Sequence, residues 1–266
     1  MKRILFDGAT SRLIASRLLF ALTVSFALPS YADAVATIGR VKASVVAVGT
    51  FVRTRTPPFL FLGTGFVVDD GTLIVTNAHV LPALLDPAKM EVLVILLAAP
   101  DKDGKAQVRE AKQIAVDTGS DLAVLRIAAP ALPALKLRGS DGVKEGQEVL
   151  FTGYPIGAIL GPYPATHRGM ISAITPIAIP QARAGELDPR IIKRLASGPF
   201  PVFQLDATAY PGNSGSPIYD PDNGDVLGVI NMVLVKSTKE SALSQPSGIT
   251  YAVPSSHIEE LLKKSH

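Results

Sequence analysis

The sequence predicts an all-β protein, and three observations carry that expectation. Nine short segments rich in Val, Ile, Leu, Phe or Thr recur along the chain. Turn-forming pairs punctuate them, and no helical pattern of about 10 to 15 residues regularly separates one from the next. Such spacing argues for an antiparallel barrel or sandwich and against a parallel βαβ sheet.

In order, the strand candidates are Ser44 to Val52, Gly65 to Val68, Leu73 to Thr76, Val92 to Leu97, Leu122 to Ile127, Glu148 to Phe151, Val202 to Leu205, Val226 to Ile230 and Ile249 to Val253. Asp70-Gly71, Asp103-Gly104, Asp141-Gly142 and Asn223-Gly224 supply turns. Only two stretches read as helical. Ile191 to Ala196 follows Asp188-Pro189, an N-cap with proline at the first position, and stops at Gly198. At the C-terminus, Ser256 and Glu259 have capping-box spacing, and Ile258, Leu261 and Leu262 share one face. Pro130 to Gly146, rich in Pro, Gly, Ser and Asp, marks a linker between two β units of similar size. No internal repeat is visible in the residues.

The first thirty residues are organised differently. Lys2, Arg3, Arg12 and Arg17 make a basic start, Leu18 to Leu28 an apolar run, and Pro29 to Ala34 a set of small residues at signal-peptidase spacing. This predicts a secretory signal peptide over residues 1–32, cleaved after Ala32 or Ala34, and a periplasmic or secreted product. The apolar run falls short of the roughly 20 residues a helix needs to cross a bilayer.

Composition excludes several chemistries. With no cysteine, the chain cannot build a disulfide scaffold, a thiolate zinc site, an iron–sulfur centre or a cysteine nucleophile. The net charge of +3 invites a nucleic-acid reading. Removing residues 1–32 takes four basic residues and one acid from totals of 26 and 23, leaving 22 of each. The excess belongs to the export segment, and no nucleic-acid partner is expected. His167, His257 and His266 lack ligand spacing, so no metal or other cofactor is expected either.

Three positions carry chemistry. A serine hydroxyl is a poor nucleophile at neutral pH and needs a base within hydrogen-bond reach and a partner that orients the base. His79 ends the apolar run Val75 to Val80, Asp121 precedes Leu122 to Leu125, and Ser214 sits in the glycine-rich turn Tyr210 to Pro217. Singly, each has an ordinary structural reading as a strand-end or turn residue. Together they run His, Asp, Ser with separations of 42 and 93 residues, an order that differs from those of subtilisins and α/β-hydrolases. Gly212 and Gly215 permit a tight turn that aims the amides of Gly212 and Ser214 at one point, as an oxyanion hole requires.

Seven blocks then resemble the HtrA branch of the trypsin-like serine proteases. They are Gly63 to Val68, Ile74 to Val80, Ser120 to Ile127, Arg168 to Ile174, Phe203 to Ala207, Pro211 to Ser216 and Ile249 to Ser255. The resemblance implies two six-stranded antiparallel β-barrels of chymotrypsin type with a short C-terminal helix. The first barrel, 33–135, would carry His79 and Asp121, and the second, 136–266, Ser214. It implies His79 as base, Asp121 as its orienter, Ser214 as nucleophile, and Thr208, Val229, Ile230 and Asn231 as substrate-binding residues.

Several departures shape the expectation. Asn213 stands where zymogen-activated relatives carry an Asp that pairs with a new N-terminus. Thr208 stands where an Asp would select Lys or Arg, so small aliphatic residues are the expected cleavage position. Ser216 replaces a glycine and Tyr210 an asparagine of most relatives, either of which would narrow the site. Only ten residues follow Ser256, which leaves no room for the PDZ domains that usually follow. Thr175 to Pro201 is longer than the corresponding loop, which in relatives couples ligand sensing to the oxyanion hole. HtrA relatives are commonly trimers, which makes Ala34 to Arg40 the candidate segment for a homotrimer. Three functions stay open: an exported endopeptidase acting on unfolded polypeptide, a peptide-binding or chaperone-like protein with a latent triad, and a narrow-specificity processing protease.

Overall fold

In the computed structural model of the chain the described residues are 31–97, 106–157, 161, 163–176, 200–231 and 248–264. Six strands close the first barrel: β1 (Val45–Phe51), β2 (Phe59–Val68), β3 (Leu73–Asn77), β4 (Val92–Leu97), β5 (Gln107–Asp117) and β6 (Leu122–Ile127). Its order is β1-β2-β3-β6-β5-β4, with β4 returning to β1. The second barrel holds β7 (Glu148–Gly153), β8 (Ala165–Pro176), β9 (Pro201–Asp206), β10 (Pro217–Tyr219), β11 (Val226–Ile230) and β12 (Ile249–Pro254). Its order, β7-β8-β9-β12-β11-β10, repeats that of the first and closes through β10 and β7. The repeat absent from the residues is therefore present in the topology. Among the described residues every pair of these strands is antiparallel, and each strand has a neighbour on either side, as barrel closure requires.

Side-chain alternation explains the continuous apolar runs. Val46 and Val48 of β1 point into the first barrel with Val67, Ile74, Ile95 and Leu125. Their neighbours Val45 and Ala47 face a second cluster, in which Phe66, Val75 and Val124 of the first barrel pack with Leu150, Tyr154, Val229 and Val253 of the second. A strand buried on both faces has no polar alternation to show. Phe151, Ile171, Leu205, Ile218 and Ile230 fill the second barrel.

Several expectations change. β5 escapes sequence detection because its side chains are mostly exposed and polar, Ala111 alone being fully buried. β10 is too short, at three residues, to show a pattern. Residues 31–42, not expected to be helical, form helix α1 (Tyr31–Lys42), with Thr37 and Val41 buried. Thr37 Oγ1 donates to Asp222 O at 3.1 Å, so tertiary docking supports a sequence of β-branched residues and a mid-helix Gly39 that propensity disfavours. The C-terminal helix α2 (Ser255–Lys263) starts one residue before the expected cap and has no capping box. Ser140 Oγ instead accepts the Ser256 amide at 2.9 Å, a partner far away in sequence. The segment read as a linker is bonded down: Leu135 bridges to Val68 and Leu137 to Val226, and Asp141-Gly142 lies in a one-turn 3₁₀ helix. The expected helix Ile191 to Ala196, the Asp103-Gly104 turn, most of the Thr175 to Pro201 loop and nearly all of the signal segment lie outside the described residues. Among the described residues no helix is long and apolar enough to cross a membrane.

Candidate active site

His79 sits in a one-turn 3₁₀ helix, Ala78–Val80, that follows β3 directly. Asp121 occupies the turn from β5 to β6 with φ +57°, a left-handed conformation that Asp tolerates better than most residues. Asp117 shapes that turn by accepting the Gly119 amide at 2.8 Å and the Ser120 hydroxyl at 2.9 Å. The Asp121 carbonyl accepts the Ala78 amide at 3.0 Å and Asn77 Nδ2 at 3.1 Å, which ties the two turns together through backbone. Ser214 comes from the second barrel, between β9 and β10.

The three side chains converge. His79 Nδ1 lies 2.6 Å from Asp121 Oδ2, and His79 Nε2 lies 2.9 Å from Ser214 Oγ. An ionised carboxylate only accepts, so Nδ1 carries the proton and Nε2 turns its lone pair to the serine hydroxyl. Asp121 Oδ1 also accepts the His79 amide at 2.9 Å, and Oδ2 accepts Asn231 Nδ2 at 2.8 Å. Burial pushes the Asp121 carboxyl up; the ring hydrogen bond and charge of His79, the Asn231 amide and the His79 backbone amide outweigh it and hold the group below the usual carboxylate range.

The backbone of the turn around Ser214 is almost completely paired, whereas the Asn213 carboxamide and the Ser216 hydroxyl are buried with no hydrogen-bond partner among the described residues. Pro211 O accepts the Ile156 amide at 2.7 Å, Gly212 O accepts Thr64 Oγ1 at 2.7 Å, Asn213 O accepts the Ser216 amide at 2.9 Å, and Ser214 O accepts the Thr64 amide at 2.9 Å. The Asn213 and Gly215 amides donate to Tyr210 O and Ile230 O. The amides of Gly212 and Ser214 find no acceptor among the described residues. In a trans peptide the carbonyl and the next amide point in opposite directions, so a carbonyl held on Ile156 turns the Gly212 amide the other way. Gly212, at φ +101°, and Gly215, at φ +88°, adopt conformations open to glycine; a Cβ on Gly215 would fall 1.9 Å from Thr64 O.

The other expected residues are placed as follows. Thr208 is half-buried, beside Thr250, whose hydroxyl donates to Ala207 O at 2.7 Å. Val229 and Ile230 are fully buried in the packed clusters described above, and Asn231 is turned to Asp121, so these three side chains present no open lining. Ser216 is fully buried near Gly153 and takes no room at a surface. Tyr210 is half-buried, its ring 6.4 Å from that of His167, which stacks on Phe151. Asn213 is fully buried and uncharged, where an Asp would desolvate its charge. Sequence reasoning missed the bond from Asn231 to Asp121 and the part played by Thr64 and Ile156. Thr64 carried one signal, a threonine flanked by glycines within a strand, which marks close approach of another backbone.

Known proteins share this arrangement of strands. The trypsin-like peptidase domain matches residues 63–229. A probable periplasmic serine endoprotease, DegP-like, of Halomonas elongata is 32% identical over 193 residues, covering 73% of this chain and 32% of that protein. Serine protease HTRA1B of Danio rerio is 31% identical over 206 residues, covering 77% of this chain and 35% of that protein. The chain thus spans about a third of the length of these curated relatives. Among solved structures, the HtrA-type protease AlgW with a tripeptide superposes with a TM-score of 0.57 at 25% identity, covering 88% of this chain and 63% of that one. With the domain match extending over most of the two barrels, and with HtrA and DegP-like proteins among its relatives, the chain belongs to the trypsin-like peptidase family.

Proposed function

We propose that the chain is an exported serine endopeptidase of HtrA type that cuts unfolded or exposed polypeptide through an acyl-enzyme at Ser214. The observation that carries this reading is the unbroken relay Asp121–His79–Ser214, together with the amides of Gly212 and Ser214, which have no acceptor among the described residues. In the first step Ser214 Oγ bonds to the scissile carbonyl carbon as its proton passes to His79 Nε2, and Asp121 stabilises the imidazolium. The carbonyl oxygen takes up negative charge facing the amides of Gly212 and Ser214, a contribution of roughly 2.7 to 4 kcal/mol per donor. His79 returns the proton to the leaving amine as the C–N bond breaks, and water then releases the acyl group by the reverse proton path. Thr208 offers no carboxylate, so a lysine or arginine at the cleavage position would be desolvated without a partner there.

Export is supported by the basic start and apolar run of residues 1–32 and by the periplasmic designation of the Halomonas elongata protein. The test is digestion of casein by the mature protein, residues 33–266, together with labelling by a fluorophosphonate. Cleavage and labelling are expected in the wild type and neither in Ser214→Ala. Undiminished cleavage by that variant overturns the assignment, and a wild type that binds casein without cutting it or taking the label is a binding protein instead.

A further inference from the structure

We propose that Thr64 is a positioning residue for the reaction at Ser214: from the first barrel it holds the carbonyls of Gly212 and Ser214 and so fixes the direction of the amides in the same turn. The inference deepens the endopeptidase reading and rests on it. Thr64 lies on β2, fully buried, and makes four hydrogen bonds. Its amide donates to Ser214 O at 2.9 Å and its hydroxyl to Gly212 O at 2.7 Å, while the hydroxyl accepts the Tyr154 amide at 3.0 Å and the carbonyl accepts Thr76 Oγ1 at 2.7 Å. A hydroxyl has one proton. With a backbone amide pointing at its oxygen and a backbone carbonyl able only to accept, that proton is committed to Gly212 O.

The peptide planes show what depends on it. The plane Gly212–Asn213 is held at one end by Thr64 and at the other by the bond from the Asn213 amide to Tyr210 O, 2.9 Å. The plane Ser214–Gly215 is held by Thr64 and by the bond from the Gly215 amide to Ile230 O, 3.0 Å. Between them, Asn213–Ser214 is held, among the described residues, at its carbonyl end alone, by Ser216, which turns the Ser214 amide to the opposite side of that peptide. Pro211–Gly212 is likewise held at its carbonyl, by Ile156, which is itself at φ +50°, where β-branched residues rarely sit. Tyr154, two residues before it, joins that segment to the Thr64 hydroxyl. None of these bonds touches His79 or Asp121, so removing the hydroxyl perturbs the oxyanion turn and leaves the His–Asp pair in place.

The experiment compares Thr64→Val, close in shape but without the hydroxyl, with Thr64→Ser, which keeps it. A quenched-fluorescence peptide chosen from casein cleavage products serves as substrate, at a temperature where circular dichroism shows each variant folded. Thr64→Val is expected to lower kcat by about 10- to 100-fold with KM within about threefold, the pattern of a misaligned transition-state contact. Thr64→Ser is expected to stay within about threefold of wild type, and the low-field proton resonance of His79 Nδ1 to persist in both. Wild-type kcat in Thr64→Val, a serine variant as slow as the valine one, or loss of that resonance overturns the inference. Thr64→Ala covers a valine variant that does not fold: the same split is expected, and wild-type kcat again overturns it. A wild type that turns over no peptide overturns the endopeptidase reading and this inference together, whereas an active wild type indifferent to Thr64 overturns this inference alone.

Discussion

Replacing Asp121 by Asn keeps the shape of the side chain and changes only what it can accept. In the native site Oδ1 receives the His79 amide at 2.9 Å, and Oδ2 receives both Asn231 Nδ2 at 2.8 Å and His79 Nδ1 at 2.6 Å. A carboxamide has one oxygen for these two places. The His79 amide belongs to the backbone and cannot turn away, whereas the Asn231 carboxamide can flip and offer its own oxygen. The new oxygen therefore goes to the His79 amide and the new NH₂ faces Nδ1, which must then accept. The proton moves to Nε2, and the ring meets Ser214 with a donor where it needs a lone pair. A wrong tautomer of this kind lowers kcat by about 10,000-fold, which corresponds to about 5.4 kcal/mol of barrier. Hydrolysis of a fluorogenic peptide at neutral pH, normalised to folded protein, measures it. A loss below about tenfold refutes the reasoning, because the tautomer would then not be set by Asp121.

Three further outcomes follow from other parts of the molecule. Gly215→Ala places a methyl group 1.9 Å from Thr64 O at a positive φ, and a loss of at least about 2 kcal/mol is expected in urea unfolding; a wild-type midpoint would contradict the close approach. Ser140→Ala is expected to cost about 1 kcal/mol by uncapping α2, and Ser256→Ala less than about 0.5 kcal/mol; the reverse order would restore the capping box. Acid should destabilise the fold. Burial depresses His167, and burial outweighs Glu260 and Asp117 in depressing His257, while Asp121 is held low as described. A depressed folded value means that the native state binds fewer protons than the unfolded chain, so each contribution is complete above the unfolded pKa and is lost as pH falls through the folded one. The melting temperature should fall from about pH 6.5 downward, with the upper part of that fall reduced in His167→Phe, which preserves the stack on Phe151. An unchanged slope in that variant would remove His167 from the account.

The sequence was most legible where one physical signal dominated. Strands buried on both faces appear as apolar runs, Val226 to Ile230 throughout and Leu122 to Ile127 with the exposed Arg126 as its one interruption, and their observed limits match the expected ones. β5 presents mainly polar side chains and owes its place to backbone pairing with β4 and β6, which composition does not record. α1 and the cap of α2 depend on partners far along the chain, Asp222 and Ser140, and local patterns see only neighbours. His79, Asp121 and Ser214 could be picked out because their order and turn chemistry are unusual together. Asn231 could not be given its place, because a carboxamide at the end of a strand looks the same whether it faces a substrate or a carboxylate. Val229 and Ile230, expected at the substrate, belong to the cores for a simple reason: alternate residues of a strand between two packed faces are both buried.

Ser214 belongs to one barrel and His79 to the other, and the apolar seam of Phe66, Val75, Tyr154 and Val229 holds them in register. Each barrel is a closed sheet with its own interior, so neither needs the seam to remain shut. Turnover does. A slide of about 1 Å along the seam is enough to misalign a proton transfer while both interiors stay dry. Activity should accordingly fade before any spectroscopic sign of melting as denaturant rises, which makes the rate of peptide cleavage a ruler for how the halves of the molecule sit on each other.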